Sequence, residues 1–169
     1  MERLEPTGAV VASPPATALA PGANYVIRVV RVSKAPPTGE ESYRVIVDEL
    51  PDAARKKSGT VSLVLRYSIP VFFRSPDASQ AKMSWSVSGK EGSMVLTAKN
   101  AGNTRLRLSD LRLMQGGRKL AVRPGLVGYV LGGATMQWPI RGKLSGGSVV
   151  LQAQGDSGSI DAKVAIKGK

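Results

Sequence analysis

Every second residue from Val61 to Val71 is apolar: Val61, Leu63, Leu65, Tyr67, Ile69 and Val71 alternate within Gly59–Phe72. A period of two puts six side chains on one face of a single strand. The run exceeds the usual strand of about five or six residues. A long apolar strand at a sheet edge templates pairing with another chain. Such a strand is therefore either central in its sheet, or its pairing capacity is its function. Shorter strand candidates recur at Gly8–Ala12, a short apolar run, and at Tyr25–Val32, Ser42–Leu50, Met83–Ser88, Ser93–Lys99, Arg105–Leu113, Tyr129–Leu131, Thr135–Ile140, Val149–Ala153 and Ile160–Ile166.

Turn-forming residues punctuate these runs. Ser13-Pro14-Pro15 ends the first, because proline cannot donate to a ladder. Ala20-Pro21-Gly22-Ala23 has the proline and glycine that a type II turn wants at its second and third positions. Pro51 stops the run from Ser42, and Asp52–Gly59 is a polar loop. Asn100-Ala101-Gly102-Asn103 and Gly116-Gly117 are further turns. Helix-period stretches are hard to find. The pattern predicts an all-β sandwich or pair of sandwiches. Arg74-Ser75-Pro76-Asp77 is a short polar link between complete strands, so the expected domains are 1–76 and 77–169. Six or seven short strands after Ala78 suit a small immunoglobulin-like sandwich.

Composition narrows the chemistry. The 169 residues contain no histidine and no cysteine. That removes Ser-His and Cys-His nucleophile pairs and thiolate zinc sites. No paired-carboxylate motif stands out, so no enzyme, metal or cofactor is expected. The formal net charge is +12. Such a balance suits nucleic acid, an anionic membrane surface or an acidic protein. Arg55-Lys56-Lys57 is the one basic triplet, in the loop before the long strand. Single-strand nucleic-acid binding wants aromatic stacking platforms beside the cations. Aromatic residues make up only 5% here, and Trp85 and Trp138 lie in alternating runs that predict a core role. A basic nucleic-acid-binding β-sandwich is thus an alternative reading, as is a structural, adhesin-like module that would polymerise with itself. No segment reaches the roughly 18 apolar residues of a membrane span. Met1-Glu2-Arg3-Leu4-Glu5-Pro6 lacks the basic start and apolar stretch of a signal peptide.

The order of Ser13-Pro14-Pro15, Leu19-Ala20-Pro21-Gly22, Ile27-Arg28-Val29, Glu41-Ser42-Tyr43-Arg44, Glu49-Leu50-Pro51, the alternating strand, Phe72-Phe73-Arg74 and Asn100-Ala101-Gly102 resembles the PapD-like periplasmic chaperones of the chaperone–usher pilus pathway. The wording Arg66-Tyr67-Ser68-Ile69-Pro70-Val71-Phe72 resembles the non-classical, or archaic, branch that serves spore-coat-U-type pilins. The resemblance implies two immunoglobulin-like domains in an L-shape and a periplasmic location. It implies pilin subunits and an outer-membrane usher as partners, with no nucleic acid and no membrane insertion. It also implies donor-strand complementation, in which the chaperone lends a strand to a pilin that lacks one. By this match Val61, Leu63, Leu65, Tyr67 and Ile69 form the pilin-binding donor strand, which could also support self-association. Glu41, Arg74 and Asp156 match an interdomain ion network. Classical members anchor the pilin carboxylate with an arginine and a lysine; Pro70 stands at the lysine position, as expected of the archaic branch. The resemblance further implies that the chain starts near the middle of the first domain, without the signal peptide and first strands.

Overall fold

Alternation does set the architecture. A computed structural model of the chain describes residues 4–51, 61, 63–90 and 92–167. They form strands and no helix: β1 (Val10–Ser13), β2 (Arg28–Arg31), β3 (Glu40–Asp48), β4 (Arg66–Arg74), β5 (Met83–Lys90), β6 (Ser93–Asn100), β7 (Leu106–Gln115), β8 (Arg118–Val130), β9 (Thr135–Ile140), β10 (Val149–Gly155) and β11 (Gly158–Lys167). The chain divides into two units. One comprises Met1–Pro37 and Glu41–Phe73; the other comprises Thr38–Glu40 and Arg74–Lys169.

The first unit holds two two-stranded sheets, β1-β2 and β3-β4. β1 pairs antiparallel with β2, Val10 opposite Arg31 and Ser13 opposite Arg28, and stops before Pro14-Pro15. The type II turn is present: Gly22 has φ +76 and the Ala23 N–H donates to the Ala20 carbonyl at 3.0 Å. None of the described residues of this unit is fully buried.

The second unit is a sandwich. Its strands form one continuous sheet of order β8-β7-β10-β11-β5-β6-β9. The continuity depends on β11. Its first part, Gly158–Val164, runs antiparallel to β10. Its last residues, Ala165–Lys167, run parallel to Ser86–Ser88 of β5. The sheet folds over so that Leu108, Leu113, Val130 and Leu151 pack in one cluster with Trp85, Leu96, Trp138 and Ile140. β6 buries Met94, Leu96, Ala98 and Asn100 on alternate positions, the pattern of a half-buried strand.

β7 breaks that rhythm once. Leu108 is buried, but the next buried leucines are Leu111 and Leu113. The register to β8 shifts around Ser109 and Leu111, and Asp110 has φ +51. This is a bulge, which inserts a residue and resets which face points inward. Opposite it, Gly125 has φ +70, and its N–H donates to Asp110 Oδ1 at 2.8 Å. The bulge lets Pro124 lie within β8. β8 therefore extends from Arg118, where the sequence predicts a strand only over Tyr129–Leu131.

Candidate functional site

The alternating run is divided in the structure. Among the described residues of this run, hydrogen-bonded strand begins at Arg66. Gly59, Thr60 and Ser62 lie outside the described residues, as does Arg55-Lys56-Lys57. Val61, Leu63 and Leu65 lie outside regular strand, and Tyr67 and Ile69 lie in β4. The reason is the partner. β3 ends at Asp48, and Glu49, Leu50 and Pro51 lie outside regular strand. A strand persists only while its backbone groups have a ladder neighbour. The last rung is the Glu49 N–H donating to the Leu65 carbonyl at 2.9 Å. The Leu65 N–H in turn donates to Glu49 Oε2 at 3.0 Å.

Of the six alternating side chains, the five from Val61 to Ile69 are exposed, Val61 by 89%, Leu63 by 85%, and Leu65, Tyr67 and Ile69 by about half, while Val71 is half-buried. Apolar side chains in water at this density are unusual and mark interaction surface. Among the described residues β4 has a single ladder neighbour, β3, so it is an edge strand. Arg66 fixes its start. The guanidinium grips Asp48 in a bidentate pair, at 2.5 Å and 2.8 Å. Those hydrogen bonds hold the Asp48 carboxyl below the ordinary carboxylate range. Beyond Pro70 the strand turns half-buried, and Phe73 meets Tyr43 edge to face at 5.9 Å.

The matched ionic residues fall into different surroundings. Glu41 accepts a bidentate pair from Arg31, Nε at 2.7 Å and Nη2 at 2.9 Å. The Tyr43 hydroxyl donates to the same carboxylate at 3.0 Å. The Arg31 hydrogen bonds pull the Glu41 carboxyl below its usual range. Burial first, and the hydrogen bond to Glu41 second, push the Tyr43 phenol up. Arg74 is the exposed last residue of β4. Asp156 stands 3.9 Å from Arg105.

A second ionic cluster, which the sequence reading passes over, sits in the second unit. Glu40 takes Arg105 Nη1 at 2.7 Å and the Arg105 backbone N–H at 2.9 Å. Its side chain is only 3% exposed. Successive residues of a strand face opposite ways, so the doublet Glu40-Glu41 sends one acid to Arg105 and the other to Arg31. That doublet at a strand start was the available signal.

Three comparisons bear on this geometry. Residues 2–79 match the family of pili and flagellar-assembly chaperones, PapD N-terminal domain. No curated protein matches the sequence. Among solved structures, the chain resembles one from the CsuC–CsuE chaperone–tip adhesion subunit pre-assembly complex of the archaic chaperone–usher Csu pili of Acinetobacter baumannii. That likeness has a TM-score of 0.66 and 25% identity, covering 95% of this chain and 76% of the other. It also resembles the CupB2 chaperone of Pseudomonas aeruginosa in fold, with a TM-score of 0.59 and 18% identity over 94% of this chain and 75% of the other.

Proposed function

Because the chain belongs to the PapD-like pilus-assembly chaperones, we propose that it holds pilin-type subunits by lending them the strand around Val61–Ile69. The family is periplasmic, and we place the work of this chain there, with delivery of the held subunit to an outer-membrane usher. The observation that carries the reading is an edge strand whose preceding segment exposes Val61, Leu63 and Leu65 at alternate positions. An incomplete immunoglobulin-like partner could pair with this backbone, while alternate side chains fill its groove. Burying each apolar side chain contributes about 1.5–3 kcal/mol. Three or more such side chains could hold a subunit without nucleotide hydrolysis. The same surface in a free chaperone would favour self-association.

The Csu neighbour was solved with a tip adhesion subunit, which supports a pilin-type partner for this chain. Pro70 carries no charge and donates no backbone hydrogen bond. Subunit capture by this strand therefore rests on apolar side chains and the ladder. The test is co-expression with a pilin subunit and isolation of a one-to-one complex. Leu63→Asp places a charge in a groove built for an apolar side chain, so complex recovery should fall to background. The second unit should stay folded. Wild-type recovery by this variant would remove the strand assignment.

A further inference from the structure

Residues 74–169 contain 15 lysines and arginines against 5 acids, so nearly all of the net charge of +12 lies in this part of the chain. The register shows where it gathers. Lys90 pairs with Ser93 across one hairpin, and Gln115 with Arg118 across the next. Met94 lies opposite Ile140, just before Arg141. The Gly92 N–H donates to the Gly142 carbonyl at 3.2 Å. Val149 lies opposite Gln115, and the Ser145 N–H donates to Gln115 Oε1 at 3.1 Å. Lys167 pairs with Ser88. The β5–β6 turn, the β7–β8 turn, the β9–β10 connection and the tip of β11 therefore share one end of the sandwich.

Lys90, Arg118, Lys119, Arg141 and Lys167 are all exposed there. Lys143, in the β9–β10 connection, is exposed as well. The opposite end differs. Its cations are offset by more acid: Arg105 pairs with Glu40 and Asp156, while Lys82 and Lys99 are exposed at the same end. The charge is thus polarised along the sandwich.

We propose that this basic end is a docking surface for an anionic lipid bilayer. Charge complementarity commits the surface to a polyanion, and its make-up selects a membrane over a protein. A stable protein interface needs a buried apolar centre, with aromatic or aliphatic anchors. Of the large exposed apolar residues of the second unit, Val122, Leu126, Met136 and Ile166, only Ile166 adjoins these turns. A set of hairpin tips carrying long cationic side chains suits a flat, multiply charged surface that accepts many headgroups at once. Peripheral attraction of this kind needs no insertion and weakens with salt. The inference does not depend on strand donation, since β4 and the segment before it contribute nothing to it.

The test is flotation of the full chain with phosphatidylglycerol–phosphatidylcholine vesicles, beside vesicles of phosphatidylcholine alone. Binding to the anionic vesicles, lost as salt rises well above about 0.1 M, is the expected result. Arg118→Ser, Lys119→Ser and Arg141→Ser combined should weaken it about 100-fold, from roughly fivefold per cation. Lys82→Ser, Lys99→Ser and Arg112→Ser remove equal charge from exposed positions elsewhere on the same unit. That control should retain most of the binding. Equal loss in both triple variants would mean that net charge acts without this end, and would overturn the proposal. So would a wild-type chain that leaves anionic vesicles unbound, the result expected of a patch built for an acidic protein.

Discussion

Asn100 shows how one side chain can fix a corner of a fold. It is fully buried at the end of β6. Its Nδ2 donates to the carbonyls of Thr104 at 2.8 Å and Val130 at 3.1 Å. Its Oδ1 accepts from the backbone N–H groups of Lys82 at 3.0 Å and Gly102 at 2.9 Å. Every hydrogen-bonding position that the amide uses here ties down backbone in a different segment. Gly102 must be glycine for a related reason, because a Cβ there would stand 2.0 Å from the Gln80 carbonyl oxygen. Asn100→Ala orphans buried donors and acceptors at about 1–3 kcal/mol each. Some of these groups would find water, so a loss of about 3 kcal/mol in the unfolding free energy of the second unit is expected. Urea denaturation followed by tryptophan fluorescence measures it, since Trp85 and Trp138 lie in the same core. A loss under about 1 kcal/mol would show that the corner is held by other means. The sequence marks Asn100-Ala101-Gly102-Asn103 as a turn, but not why. Turn propensity is local, whereas the partners of Asn100 lie up to 30 positions away.

At the scale of elements, strands with clean alternation are legible, and so is β7 despite its bulge, predicted over Arg105–Leu113 and found at Leu106–Gln115. β5, β6, β9, β10 and β11 lie where the alternating runs predict them, within a few residues. β8 was hidden by Pro124-Gly125, because a bulge against Asp110 is a tertiary device that local residue types cannot announce. The ladder of β4 begins later than its own pattern predicts, because strand length is decided jointly with the neighbour. The site residues follow the same rule: the alternating apolar set was legible, while the sharing of Glu40 and Glu41 between two arginines was not. The Arg31–Glu41 pair joins an end of β2 to the start of β3, and so links the two small sheets of the first unit. A carboxyl whose pKa is lowered on folding stabilises the fold above its unfolded pKa, and that contribution is lost as pH falls through the folded value. The link should therefore persist at neutral pH and fail in acid, below the ordinary glutamate range of about 4.3. The Arg31 Nε–H resonance reports it by NMR, with a midpoint below that range. Glu41→Gln should abolish the transition. A midpoint at the ordinary glutamate value would show that the pair does not form in solution.

The whole molecule distributes its stability unevenly. Among the described residues the buried apolar ones all belong to the second unit, from Trp85 to Val164, while the first leaves Val26, Val32, Leu50 and the alternating side chains from Val61 to Ile69 in water. Opening free energy follows buried apolar contact, so amides in poorly buried elements exchange sooner. Hydrogen exchange should show β5–β11 protected and β1–β4 exchanging at least about tenfold faster. Adding a pilin subunit should slow exchange over Leu63–Arg74 and leave β9 and β10 unchanged. Uniform protection across both units in the free chain would contradict this account.

The split allegiance of β11 also has a consequence for biogenesis. β5 opens the second unit and the final residues of β11 close it, with Ile166 beside Val87. On a chain made from its N-terminus, the first of these strands must wait for the last. No partial product can complete the sandwich, because the residues that join its two halves are synthesised at the end of the domain. During translation the second unit therefore stays unfinished and threadable, and it becomes a closed domain only after nearly all of it has emerged.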